Sequence, residues 1–494
     1  MTEQVGQELH ELDINKENSN VETSPSPDLS EGIPGVVNEG FQPESANVHS
    51  TKFGSAGSPE EELPPLTFVD FMPRCIGYEE TADGKEPEFA QFRTVMEQAN
   101  QWLLSMSQYK VYKVETIDRK LLSDLKLDLD TTLYHESSHG ETIYLRGLRL
   151  WIVPQTTPNE AVQQISYITV LPDQASTGSK ENFASLALSS SFRMRADRPV
   201  PFFDDITSTF SKLNRHLQSR PLPGKILNIE TFPLKVMESL KPTEKPDVEK
   251  SCWSDMGKLS RLFIYAIRIF YIPGEQKFET VGFHDEEPHM VQNSDGLGVR
   301  VKYSPFTQVV GKTAKWIKEQ KNIRIVNLQS LNIKVDKRSD GNVTLKSDIS
   351  GYGELPFTES QYVKILRTYY VNEHKPAVPD LYSSYNLTTR LFVPIRHSGR
   401  EFEAFSKTMQ RAIAWLQVTK TPLFGMETVQ YIVNPNSGGS GVNENRVDVN
   451  VNKNTGRYHL TCIRLYFSEN FKEPSGDLLP KVAEDEAGWG CIIS

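Results

Sequence analysis

Glu88–Leu103 reads EFAQFRTVMEQANQWL, and two later stretches repeat it: SPFTQVVGKTAKWI at Ser304–Ile317 and EFEAFSKTMQRAIAWL at Glu401–Leu416. Phe92, Phe306 and Phe405 stand the same distance before Trp102, Trp316 and Trp415, and Phe89, Tyr303 and Phe402 lie one turn ahead of them. Between these anchors Val95, Met96 and Ala99, then Val309 and Val310, then Met409 and Ala412 keep helical spacing. Each stretch therefore predicts a helix with one apolar stripe turned to a core.

Working outward, each helix is followed by two runs rich in aromatic and β-branched residues, which predict strands. The first runs are KVYKVETI from Lys110, IRIVNLQSL from Ile323 and LFGMETV from Leu423. After a variable loop come YLRGLRLWIV from Tyr144, YVKILRTYYV from Tyr362 and YHLTCIRLYF from Tyr458. The same template finds a more diverged copy, with Phe203, Ile206, Phe210, Leu213 and Leu217 as the stripe and His216 in place of Trp. Its strands are KILNIETF from Lys225 and FIYAIRIFYI from Phe263. Short extended runs precede the helices as well: FVDFMPRCI from Phe68, SFRMRA from Ser191, GVRVKY from Gly298 and TTRLFVPI from Thr388. The chain thus reads as four strand-helix-strand-strand repeats, an α+β class. One helix leaves a face of its sheet bare, so the repeats are expected to pair into two tandem domains with antiparallel sheets, residues 65–274 and 275–470. Residues 1–64 would be a disordered acidic tail and 471–494 a flexible tail.

Composition agrees with a globular body. The chain has 494 residues with 37% hydrophobic and 24% charged residues and a net charge of -10. Met1–Leu63 holds 13 acidic and 2 basic residues, so the remainder is close to neutral and supplies no clustered basic surface for nucleic acid. Four cysteines, Cys75, Cys252, Cys462 and Cys491, are too sparse for a disulfide framework and read as a reducing, cytoplasmic setting. The most apolar run, Leu262–Pro273, is interrupted by Arg268 and falls far short of the roughly 20 residues a membrane span needs.

The repeated strand-helix-strand-strand order, with helices ending in Trp102-Leu103 and Trp415-Leu416 and strands running into Pro in RLWIVP from Arg149 and RIFYIP from Arg268, resembles the superfamily of SOUL-type haem-binding proteins and gyrase-inhibitor-like effector-binding domains. That resemblance implies a groove for a small hydrophobic or haem-like ligand between paired repeats and no obligatory catalysis. No axial haem ligand can be nominated; His216 on the helix stripe reads as a core stand-in for Trp.

Three sets of residues invite a chemical reading. Glu115, Glu230 and Glu427 occupy one place in the strand after the helix, with Gln329 in the third repeat, and Arg149, Arg268, Arg367 and Arg464 recur in the next strand. The plain expectation is a structural Glu–Arg bridge across each strand pair; the functional one is that the carboxylates line a ligand groove. His135-Glu136-Ser137-Ser138-His139 matches the H-E-x-x-H pattern, in which a helix sets two histidines one turn apart on zinc. It falls in a variable loop with two serines, which reads as a polar hairpin loop. The acidic stretch HDEEPH, His284–His289, reads as a solvated connection.

Lastly, Cys491-Ile492-Ile493-Ser494 fits a prenylation box whose terminal Ser selects farnesyl. One isoprenoid gives weak, reversible membrane binding, and Glu484-Asp485-Glu486 would be repelled by an anionic leaflet. The expectation is a farnesylated, cytoplasmic, peripherally membrane-bound binding or scaffold protein, served by the prenylation machinery. The alternatives are a pure protein–protein scaffold without a pocket, and a zinc hydrolase using His135, Glu136 and His139.

Overall fold

The structure is a computed structural model; it describes residues 63–81, 84–122, 126–137, 141–156, 161–174, 203–236, 245–256, 261–294, 299–337, 343–354, 359–373, 381–434, 440–452 and 456–479. The chain is α+β and mostly β, with four repeats in sequence order. In the first, β1 (Thr67–Phe71) precedes α1 (Phe92–Ser105), followed by β2 (Tyr109–Lys120), β3 (Leu133–Glu136) and β4 (Glu141–Pro154). The second has β5 (Ser166–Val170), α2 (Ile206–Ser219), β6 (Gly224–Val236), β7 (Cys252–Met256) and β8 (Arg261–Pro273). The third has β9 (Thr280–Glu286), α3 (Phe306–Glu319), β10 (Ile323–Lys334), β11 (Gly351–Glu354) and β12 (Glu359–Asn372). The fourth has β13 (Thr388–Phe392), α4 (Phe405–Thr419), β14 (Leu423–Val433), β15 (Asp448–Asn452) and β16 (Arg457–Phe467).

All four helices and the eight long strands fall where the periodicity places them, and the stripe Phe92, Val95, Met96, Ala99 and Leu103 of α1 is buried as expected. Of the leading strands, one does not, and another lies outside the described residues. In the third repeat the run from Gly298 pairs with Met290–Ser294 as a separate hairpin, and the strand that joins the sheet is β9, which contains His284, Asp285 and Glu286 of the supposed solvated loop. In the second repeat the run from Ser191 lies outside the described residues, and the leading strand is β5. A short edge strand has little intrinsic signal, so tertiary pairing decides it.

The larger difference is in the variable loops. Each holds a short strand, β3, β7, β11 or β15, which leaves its own repeat and pairs with the last strand of the preceding one. Thus β7 adds to β4, β11 to β8, β15 to β12, and β3 of the first repeat adds to β16 of the fourth. The donation runs once around all four repeats and closes on itself. The expected boundary near residue 274 is therefore not a division: β8 with β11 and β16 with β3 cross it, and His49–Ser494 forms one compact unit.

Packing follows the same cycle. Helix α2 shares a core with Leu331, Ile333 and Tyr369 of the third repeat, α3 with Tyr466 of the fourth, and α4 with Phe68 and Trp151 of the first. Phe92 of α1 meets the Tyr167 ring of the second repeat at 5.4 Å. Each helix is buried between its own sheet and the next, which answers the bare-face problem that suggested paired domains.

The helix starts are capped across repeats too. Gln91, Pro305 and Ala404 at the N-caps of α1, α3 and α4 make no side-chain cap bond; Asp205 accepts from Ser208 N. Instead the first-turn amides are taken by a residue of the following repeat: Arg93 N donates to Glu249, Thr207 N to Asp348, Thr307 N to Asn445 and Ser406 N to Asp130, at 2.9, 2.9, 3.3 and 2.6 Å. Each of these four residues stands three positions before an exchanged strand. The backbone carbonyls of the same residues accept from Phe92, Ile206, Phe306 and Phe405. Orphan donors of each helix are thus satisfied by the loop that leads the exchanged strand into place.

Candidate functional site

The recurring polar residues meet where the strands that follow the helices approach one another. Each of β2, β6, β10 and β14 carries a register shift directly before the position two residues ahead of its Glu or Gln. Such a bulge re-aims the side chains that follow it. Those side chains bridge to the free edge of the preceding repeat. Glu115 accepts from Thr428 N at 2.9 Å, Gln329 from Thr231 N at 2.9 Å and Glu427 from Ser330 N at 2.7 Å; Glu230 accepts from Thr116 N at 3.0 Å and from its hydroxyl. Two residues earlier, Lys113 donates to Met426 O at 2.5 Å, Asn228 to Val114 O at 2.9 Å and Asn327 to Ile229 O at 2.7 Å. Asn228 also accepts from Val114 N at 3.0 Å, so its amide acts as one more peptide of the ladder. Edge groups that would otherwise lack partners are closed by side chains.

The arginines complete the clasp. Arg149, Arg268, Arg367 and Arg464 stand opposite Glu115, Glu230, Gln329 and Glu427 in register, as expected. Among the described residues the direct ion pair of that kind is Arg464–Glu427 at 3.6 Å. Arg149 and Arg367 instead form two-bond pairs with Asp70 and Asp285 of the leading strands, all at 2.6 Å, and Arg268 donates to Thr169 at 3.1 Å and Thr116 at 2.8 Å. The guanidinium of Arg149 lies 4.1 Å from the Phe405 ring, that of Arg268 3.8 Å from Phe92, and that of Arg464 4.2 Å from Phe306. The Phe that opens three of the helices is therefore the cation–π floor for the arginine of the next repeat. Burial raises the Glu230 carboxyl, against the charge of Arg268 and the bonds from Thr116.

Glu115, Glu230 and Glu427 are thus brought together as links between repeats. His135 and Glu136 lie on β3, where neighbours alternate: His135 is exposed and Glu136 buried, not one turn apart on a helix. His139 lies outside the described residues, as does Cys491. Burial opposes the charge of Glu136, but hydrogen bonds with His459 and Asp255 and the charge of Arg457 hold its carboxyl well below the usual range. His459 stands 3.1 Å from it. Among the described residues no group of three or more His, Cys, Asp or Glu could hold a metal ion. His216 is half-buried at the position of the tryptophans.

Several residues of this region were not singled out from sequence. Asp70 and Asp285, in FVDF and FHDE, and Asn228 and Asn327, two places ahead of Glu230 and Gln329, recur visibly once the repeats are aligned. Lys364, 4% exposed, points its ammonium at the Tyr431 ring, 3.8 Å from the centre; burial and then the Arg464 charge push its pKa down to about 7. Comparison of this chain with family models, with curated proteins and with solved structures gives no match.

Proposed function

We propose that the protein is a binding or scaffold protein that performs no chemistry on a substrate, and that a farnesyl group on Cys491 brings it reversibly to membranes. The observation that carries the lipid half is the tetrapeptide Cys491-Ile492-Ile493-Ser494, which has the Cys, the two aliphatic residues and the Ser that farnesylation uses. The non-catalytic half is supported by how the recurring polar residues are used. Glu115, Glu230, Gln329 and Glu427 accept from the backbone of neighbouring repeats, and Arg149 and Arg367 are engaged by the aspartates of their leading strands, buried Asp70 and half-buried Asp285. What repeats in this chain serves to close it, leaving a rigid body that a single lipid delivers. One isoprenoid supports exchange between membrane and cytosol rather than fixed residence.

The test is the membrane fraction of the wild-type chain against Cys491→Ser and Ser494→Leu, with the mass of the C-terminal peptide read alongside. Cys491→Ser should be wholly soluble, and Ser494→Leu, which selects the longer geranylgeranyl chain, should bind membranes more tightly. An unchanged membrane fraction in Cys491→Ser would overturn the lipid reading.

A further inference from the structure

Linkers carry the chain from the last strand of each repeat to the next leading strand or, after β16, toward the tail, and all four lie at one end of the ring. The strands β2, β6, β10 and β14 run parallel and in step: near their first residues the Tyr112 hydroxyl donates to Leu423 O at 3.1 Å and Arg324 to Ile226 O at 2.9 Å. Each last strand, β4, β8, β12 or β16, finishes opposite one of these starts. Three linkers are pinned there by a side chain. Gln163 accepts from Val111 N at 2.7 Å, Glu279 from Ile226 N at 3.1 Å and the Tyr382 hydroxyl from Ile325 N at 2.8 Å.

The residue directly before each pin is apolar and exposed: Val162 at 37%, Phe278 at 63% and Leu381 at 40%. The fourth linker repeats the arrangement with Leu478, 63% exposed, before Leu479, which packs on the cluster that includes Trp415 and Phe467. One exposed apolar side chain is ordinary, whereas an equivalent one in four linkers on one end marks a contact surface. Exposed apolar side chains occur elsewhere too, as at Ile76, 61% exposed, in the hairpin before α1. The tail is what separates the ends. Cys491 follows Leu479 by 12 residues, at most roughly 40 Å of extended chain. Strand β4 alone, 14 residues long, spans roughly 45 Å, so the tail would be used up in passing its length, but it reaches past the linker end with chain to spare. Charge on the linker end is mixed, with exposed Arg220, Lys321 and Lys420 after the helices against Glu275, Glu469 and Asp477 in the linkers, so the apolar side chains set what it can meet.

We propose that the linker end of the ring is a membrane-contact face, on which Val162, Phe278, Leu381 and Leu478 enter the interfacial layer of the bilayer that a farnesyl group on Cys491 reaches. The choice of this end rests on the lipid reading, because the tail selects it. One isoprenoid gives marginal binding, and stable anchoring takes a second contribution. Four shallow apolar contacts on a rigid ring supply it and fix how the molecule stands on the membrane.

Co-sedimentation of the full chain with phosphatidylcholine vesicles tests it, after treatment with farnesyltransferase and farnesyl diphosphate and a mass check of the C-terminal peptide. Phe278→Ser combined with Leu478→Ser should lower the partition coefficient at least about tenfold. Ile76→Ser, at an equally exposed site beyond the N-terminus of the 14-residue α1 and so about 20 Å from this end, should stay within about twofold of the wild type. All three side chains are exposed, so the variants should fold, and their melting temperatures verify that. Wild-type partition of the double variant, an equal loss in Ile76→Ser, or no partition of the wild type would each overturn the face. The unfarnesylated Cys491→Ser chain separates the two readings. If it binds as the wild type does, the lipid reading fails, while a loss of about tenfold on adding Phe278→Ser and Leu478→Ser to it upholds the face.

Discussion

Lys364 is the residue with the clearest consequence for stability. Its amine is favoured neutral in the folded chain, with a pKa near 7, while the unfolded chain holds the proton up to about 10.5. Between those values the unfolded state binds more protons than the folded one, so this group makes stability rise with pH. Lys364→Met should therefore stabilise the protein by about 2–4 kcal/mol at pH 7, and the gain should shrink as pH approaches 10.5. Denaturant midpoints at pH 7 and pH 10 check this; an equal gain at both would show that the charge is not the cause. Glu136 shifts stability with pH in the same direction but in the acid range and as a gain: its depressed carboxyl contributes stability above the ordinary carboxylate range, lost as pH falls through its folded value. At this scale the sequence was informative about which residues recur and silent about their partners. Glu115 and Arg149 were legible as cross-strand neighbours, but the choice of Asp70 for Arg149 and Thr428 for Glu115 depends on strands far away in the chain. Arg119 carries no local mark at all; it becomes conspicuous through burial, with Nε and Nη2 unpaired among the described residues.

The four helices illustrate what an element can conceal. Their apolar stripes are written in the sequence, and the N-termini of α1, α3 and α4 look poorly made, with Gln, Pro and Ala where Ser, Thr, Asp or Asn is favoured. The missing caps are supplied from the next repeat. Asp130→Ala removes the bonds to Ser406 N and its hydroxyl, at 2.6 and 2.7 Å, and should cost about 1–2 kcal/mol, close to an ordinary N-cap loss. Asp205→Ala, which removes the cap α2 has within its own repeat, is the matched control, and urea midpoints compare them. If Asp130→Ala leaves the midpoint unchanged, the cross-repeat cap is not a source of stability. The exchanged strands were unreadable for a related reason. Four or five residues such as Leu133–Glu136 are too short to show a period, and a strand that pairs outside its repeat cannot be anticipated from its neighbours. The H-E-x-x-H pattern misled through the same segment, because spacing alone does not say whether a pentapeptide will be wound or extended.

At the scale of the molecule, the closed order of strand donation predicts cooperativity. Each four-stranded sheet contains a strand of the following repeat and each of the four helices a cap from it, so no cut separates two intact halves. Scanning calorimetry of the full chain should show one main unfolding transition, whereas two well-separated transitions would mean that the halves on either side of residue 274 fold as domains. The sequence by itself determined the repeat, its helices and long strands, the α+β class and the farnesylation-type tetrapeptide, because apolar period and motif spacing are local properties. Tertiary structure alone decided that four repeats close into one unit, that the recurring carboxylates join repeats, and that the Arg119 guanidinium is buried. Those outcomes depend on which free strand edge, helix end or charge meets which across long sequence distances, and a partner hundreds of residues away leaves no trace in the residues beside it.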